Sequence, residues 1–223
     1  MIESTEVDRA PTNQRDVLAE GQGLVLAGLL AALAGFVDAI GYLHLSGLFV
    51  SYMSGNSTQL AVALGQGDVS EAGNIAELVA LFVLGAAAGQ VLAGFTGKWH
   101  LTCTLVGVAI LLATAGVLAT TPEPMVLAMG VLNAAMHRAG NIPLSLTFVT
   151  GVLVRFGQGL GDFVTRRTRG WSWLVQAIPW IGMITGATLG GAAYMRIGEA
   201  AIWVPVGFAG LVAAYSVTIP RPD

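Results

Sequence analysis

The chain reads as an all-α membrane protein, a polytopic bundle of transmembrane helices. Three observations predict this. Hydrophobic residues make up 55% of the sequence and charged residues 10%, where soluble domains carry about 25% charged residues. Mean hydropathy is +0.73. From Leu24 to Val217, near-continuous apolar segments recur, each of about 17 to 25 residues and so able to cross a hydrocarbon core of about 30 Å. Runs such as Leu105 to Ala119 lack the period-2 alternation of a barrel strand, so the spans are helices.

Taken in order, residues 1–22 are a polar tail of mixed charge, without the basic start and small-residue cleavage site of a signal peptide. They are expected to be disordered and cytoplasmic. Residues 23–219 form a single transmembrane domain. Its apolar runs lie at about 24–45, 48–65, 75–96, 101–120, 124–140, 144–162, 173–194 and 201–218, which gives eight spans. The second and sixth are short and polar, and six spans is the alternative if they do not cross. Counting Lys and Arg at the ends of eight spans puts Arg9, Arg15, Arg166, Arg167, Arg169 and Arg221 in the cytoplasm, against Lys98, Arg138 and Arg196 outside. Both termini are therefore expected in the cytoplasm. Trp99, Trp171, Trp173 and Trp203 fall near span ends, as interfacial anchors do, while Pro179 and Pro205 are expected to kink their spans.

The sequence repeats itself. Gly35-x-x-Asp38-x-x-x-Tyr42 matches Gly130-x-x-Asn133-x-x-x-His137 at a shift of 95 residues, Ser51-x-x-Ser54-Gly55 matches Thr147-x-x-Thr150-Gly151 at 96, and Gly85-x-x-x-Gly89 matches Gly186-x-x-x-Gly190 at 101. Two halves of four spans each are expected, residues 23–121 and 122–219. An even number of spans would make them parallel. Substrate sites of secondary transporters often lie at such repeat interfaces, on interrupted helices.

The chemistry concentrates between Gly35 and Asn56. Asp38 is a carboxylate inside an apolar helix, costing at least about 2.5 to 3.5 kcal/mol on insertion scales, so it must face protein or a wet cavity. Helical spacing puts it on one face with Tyr42, and puts Ser51, Ser54, Gly55 and Thr58 on a face of the next segment. Asp38, Tyr42, Ser54, Gly55, Asn56 and Thr58, with Asn133, Thr150 and Gly151 from the second half, make up the candidate solute or ion site. In the functional reading Asp38 binds a proton or cation; in the structural one it accepts hydrogen bonds from Tyr42, Asn56 or free backbone N–H groups at the start of the second segment. Asn133 could keep such hydrogen bonds without the charge. Arg155 could meet an anionic substrate, though snorkelling or pairing with Asp162 is the simpler role. His44 and His137 lie near helix ends.

No HExxH, no Ser/His/Asp spacing and no Gly-rich phosphate loop is present, so no catalytic residue, metal ligand or cofactor is assigned. The single Cys103 permits no internal disulfide. The absence of a Lys/Arg block argues against nucleic acid. The partners expected are the lipid bilayer, a small solute or a proton or cation, and, with oligomeric state open, further copies of the chain.

The segments GFVDAIGYL, FVSYMSGNSTQLA, GVLNAA and FVTGVLVRFGQGL together resemble the YoaK family of bacterial multi-pass membrane proteins, a domain family of unknown function. The resemblance covers residues 24–217. Asp38, Ala39, Met53, Gly55, Asn56, Asn133, Ala134, Thr150 and Gly151 match its motifs position by position, whereas Ser54 and Val152 stand where threonine is usual. It implies a bacterial inner-membrane location and supplies no substrate. The function expected is transport or facilitated passage of a small solute at the repeat interface, ahead of a non-transporting scaffold or regulatory subunit and of an intramembrane enzyme.

Overall fold

The computed structural model describes residues 14–118, 121–136, 149–167 and 172–218. His137, Arg138, Arg169, Trp171, Arg221 and the first part of the polar tail lie outside the described residues. Among those described there are eight α-helices and no strand: α1 (Gln14–His44), α2 (Met53–Gln66), α3 (Val69–Thr96), α4 (His100–Leu118), α5 (Glu123–Met136), α6 (Val149–Val164), α7 (Ile178–Ile197) and α8 (Trp203–Thr218). Local chemistry places several boundaries. Gly67, at φ +77°, ends α2 and lets its amide turn back to Leu64, as left-handed C-terminal glycines do. Asp68 then caps α3 by accepting from the Glu71 amide at 3.0 Å. Pro179 and Pro205 kink nothing: both sit in the first turn of their helices, where the N–H that proline lacks has no intrahelical partner to lose.

Helix pairing fixes the direction of every span. Along the α1–α7 interface Gly28, Ala32 and Phe36 step in register with Gly182, Gly186 and Gly190, so the two helices run parallel. A β-carbon on Gly182, Gly186 or Gly190 would meet the backbone of the facing α1 residue; the small residues allow that approach. Along α3–α5, Gly85 and Gly89 face Leu127 and Val131 in the same sense. These helices too are parallel. Across α4–α8 the order reverses, with Thr102 bonded to Ser216 at 2.8 Å and Gly116 against Ile202 and Trp203.

The two ends of the bundle then sort themselves. The end of α1 meets the α7–α8 connection, where His44 Nδ1 lies 3.7 Å from Glu199 Oε1. One cavity there is lined by His44, by Asn74 and Glu77 near the start of α3, and by Glu123 at the start of α5. α1 therefore finishes, and α3 and α5 begin, at this His44 end; Lys98, between α3 and α4, marks the opposite, Lys98 end.

This arrangement does not confirm the expected eight spans. α2 leaves and rejoins the bundle at the His44 end, because α1 ends there and α3 starts there. By the same logic α6 lies at the Lys98 end, between the end of α5 and the start of α7. Length does not set them apart, since α2 and α6 have the same 14 and 16 residues as α5 and α8; what does is where the helices before and after them end and begin. The described stretches long and apolar enough to cross are Gly23–His44, Val69–Leu118 and Trp173–Thr218, joined by the shorter apolar Glu123–Ala134. They hold α1, α3, α4, α5, α7 and α8, three per half. An odd number reverses direction, so α1 and α5 are antiparallel and the parallel relation expected between the halves does not hold.

α1, α4, α5 and α8 enclose the core. Leu33, Leu105, Leu112, Met129 and Leu132 there are fully buried.

Candidate functional site: the α1–α2 turn and the cavity beside it

α1 overshoots the turn that follows it. Asp38 lies six residues, about 9 Å of helix rise, before the end of α1. The chain after His44 reverses at Ser46 (φ +52°) and Gly47 (φ +109°) and comes back to the level of Asp38 before α2 starts. Gly41 permits the return, since a β-carbon there would meet the Val50 side chain at 2.5 Å.

Asp38 is 4% exposed and its carboxylate is fully engaged. Oδ1 accepts from the amides of Val50 and Ser51 at 2.9 and 2.8 Å, and Oδ2 accepts from Ser51 Oγ at 2.6 Å. From the other side Asn56, 0% exposed, clamps one peptide unit further along: its Oδ1 accepts from Phe49 N at 2.9 Å and its Nδ2 donates to Phe49 O at 2.6 Å. Gln59 Nε2 donates to Gly47 O at 3.1 Å. Three side chains thus satisfy the polar backbone of residues 47–51. Without them those groups would be stranded away from water. The carboxylate also stands near the positive end of the α2 dipole.

The other expected site residues take different places. Tyr42 is 44% exposed and packs its ring on Phe49, centroids 5.0 Å apart, rather than on Asp38. Ser54 and Thr58 are exposed; Thr58 Oγ1 donates to Ser54 O at 3.0 Å within α2. Gly55 makes room for the ring of Tyr52, which a β-carbon would meet at 2.7 Å.

In the second half Asn133 is buried, donates to Met129 O at 2.9 Å, and leaves Oδ1 without a donor among the described residues. Thr150 is exposed and Gly151 half-buried at the start of α6. Asp38 and Asn133 both lie near the C-terminal ends of their helices, and these helices are antiparallel. The two polar groups therefore face opposite ends of the bundle instead of one shared site. Arg155 is half-buried. Asp162 has Arg167 at 4.0 Å.

Residues not singled out from the sequence lie beside the turn. A cavity of about 380 Å³ opens at the His44 end, lined by His44, Ser46, Asn74, Glu77 and Glu123 together with apolar residues. His44 also borders a smaller space of about 30 Å³, toward the bundle axis, with Glu199 and Tyr194. Glu123 Oε2 is buried without a hydrogen-bond partner among the described residues. Asn74, Glu77, Glu123 and Glu199 are far apart in sequence and come together through helix direction. A six-span assignment would have placed all four at one end.

Six apolar helices carrying two short helices, with polar side chains spent on a returning backbone, define a polytopic α-helical membrane protein. The chain belongs to the family described as "Protein of unknown function (DUF1275)", whose profile matches residues 26–215. It is similar to the UPF0700 transmembrane protein RA0705 of Rhizobium meliloti (strain 1021), at 39% identity over 203 residues that cover 89% of this chain and 88% of that protein. No solved structure matches. The uncharacterised bacterial membrane family suggested by the motifs is the one found.

Proposed function

We propose that the protein is a small secondary transporter or facilitator built from two three-span repeats, residues 23–121 and 122–219, related by a two-fold axis in the membrane plane. The observation that carries this reading is a duplicated helix crossing. Gly35 of α1 faces the carbonyl of Met183 and the amide of Ala187; 95 residues later Gly130 of α5 faces Phe82 and Ala86, each 101 residues before its counterpart. Exchanging the halves converts α1–α7 into α5–α3 and leaves the antiparallel α4–α8 pair on the axis. Inverted repeats of this kind, with interrupted helices at their interface, are a recurrent plan of secondary transporters. Non-helical backbone at membrane depth is tolerated where it is buried in protein or lines a cavity, and α2 and α6 would supply such an element at opposite faces.

Charge supports the orientation. Among the described residues Arg15, Lys98, Arg155, Arg166 and Arg167 belong to segments at the Lys98 end and Arg196 to one at the His44 end, so the Lys98 end is taken as cytoplasmic, with both termini, in the bacterial inner membrane. Asp38 acts here as a hydrogen-bond acceptor for the turn, and Asn133 with Thr150 and Gly151 forms its counterpart at the opposite face. No catalytic step is assigned.

The test is uptake of a labelled metabolite panel into proteoliposomes. Flux above protein-free liposomes is expected for wild type, and Asp38→Asn should retain it. No flux for any solute, with the protein shown to be folded, overturns transport and favours a scaffold without a translocation path. That second reading draws on the full pairing of Asp38 and the apolar filling of the bundle centre.

A further inference from the structure

We propose that α6 is an in-plane membrane anchor: its exposed apolar stripe lies among acyl chains at the Lys98 end of the bundle, and the arginines that follow it hold the phosphates of anionic phospholipids. This goes beyond the transport reading and does not depend on it. The other described helices show little sidedness, whereas α6 divides sharply into an apolar and a polar face. At helical spacing Val152, Leu153, Phe156, Leu160, Phe163 and Val164 share the apolar face, and Arg155, Gln158 and Asp162 lie opposite. Protein covers only one flank of the apolar face. Gly159 lies under the Trp173 side chain, and Phe156 and Phe163 pack on the Trp173 ring, centroids 5.1 and 6.1 Å away. Leu153, Leu160 and Val164, on the other flank, are 42%, 44% and 71% exposed. A helix that crossed the bilayer would carry apolar residues all round; one lying along its surface needs them on one side.

Charge says what covers the stripe. Residues 149–167 carry Arg155, Arg166 and Arg167 against a single acid, Asp162. Arg166 and Arg167 are exposed, and Arg167 meets Asp162 only at 4.0 Å. The chain turns to present them: the Arg167 amide donates back to Asp162 O at 2.9 Å and the Arg166 amide to Phe163 O at 3.1 Å, with Arg166 at φ +58°. Helix stops of this kind ordinarily use glycine at the left-handed position. An arginine there sets a cation at the end of the apolar stripe, two residues beyond Val164. Guanidinium matches phosphate through paired hydrogen bonds, and an apolar face flanked by arginines suits a leaflet of anionic lipid. Trp173, packed on the same helix, is the residue type that favours headgroup depth. The matching segment of the first half has neither feature. Residues 47–68, which include α2, contain no Lys or Arg, and Gln59 stands 96 residues before Arg155.

The test uses the full chain in nanodiscs, with phosphatidylglycerol as the anionic lipid and phosphatidylcholine as the neutral one. Nitroxides on single cysteines, with Cys103→Ser, report depth. Leu160→Cys should be reached by oxygen from the acyl region, and Gln158→Cys by a water-soluble nickel chelate. Shielding of Leu160→Cys from both reagents would mean a protein cover, such as a second copy, and overturn the anchor; a Gln158→Cys reached by oxygen alone would place α6 within the hydrocarbon and overturn it too. Native mass spectrometry of protein released from mixed nanodiscs then counts retained lipids. Wild type is expected to prefer phosphatidylglycerol, and Arg166→Gly combined with Arg167→Gln should lower that preference about fivefold or more. Glycine suits the positive φ of residue 166, so the turn survives in this variant and its melting in phosphatidylcholine should not fall. Arg196→Gln, at the His44 end, should leave the preference unchanged. A preference that survives loss of both arginines, or that falls equally with Arg196→Gln, overturns the phosphate contact.

Discussion

Asp38 shows how the chain's own groups can meet the hydrogen-bonding needs of a carboxylate inside a membrane helix. Its cost is met by three donors, two of them backbone amides that the turn leaves free. The contributions of its hydrogen bonds and of its charge can be separated by substitution. Asp38→Asn keeps an acceptor for Val50 and Ser51, and the Ser51 hydroxyl can turn to accept from the new amide; thermal midpoint in detergent should fall only slightly. Asp38→Ala strands three buried donors at about 1 to 3 kcal/mol each, so a loss of several kcal/mol or failure to accumulate in the membrane is expected. Equal behaviour of the two variants would show that the charge matters and the hydrogen bonds do not. Asn56→Ala removes the clamp on the Phe49 peptide and should cost roughly 2 kcal/mol, measured in the same way.

At the scale of elements, the helices divide by what they pack against. α1 and α7 approach through Gly35, Gly182, Gly186 and Gly190, where an added methyl meets backbone rather than a movable side chain. Gly186→Ala is expected to destabilise by about 1 to 3 kcal/mol, the usual range for overpacking, and Gly85→Ala by a similar amount at the matching α3–α5 crossing. Gly94→Ala, with nothing within 4 Å of the new carbon, should be neutral or slightly stabilising, since alanine favours helix over glycine. Melting in a single detergent compares the three. Were Gly186→Ala no worse than Gly94→Ala, the close α1–α7 approach would be disproved. α2 and α6 are different again. α2 packs on α3 through Ala63, Ala72 and Ile75, and α6 is amphipathic, with Gly159 under the Trp173 side chain.

For the molecule as a whole, the reversal of α2 and α6 changes which loops share a side. Single cysteines at Asp68 and Lys98, introduced with Cys103→Ser, distinguish the topologies. With six spans Asp68→Cys is labelled from the periplasm by an impermeant maleimide and Lys98→Cys is not. Eight spans predict the opposite pattern.

The linear chain determined a good deal of this. Its apolar runs located all eight helices, because a segment that must satisfy its own backbone in lipid has to be helical and about as long as its hydrophobic stretch. It also flagged Asp38 and Asn56 as out of place and brought out the matched glycines at shifts of 95 and 101. What it could not determine was direction. Whether a short polar segment such as Met53–Gln66 crosses or turns back depends on where the next helix starts, and that is decided by the α1–α7, α3–α5 and α4–α8 contacts between residues 42 to 154 positions apart. Those contacts opposed α1 to α5 and returned α2 to the end of the bundle that it leaves. They also drew His44, Asn74, Glu77 and Glu123 to one wall, a juxtaposition that hydropathy along the chain does not encode.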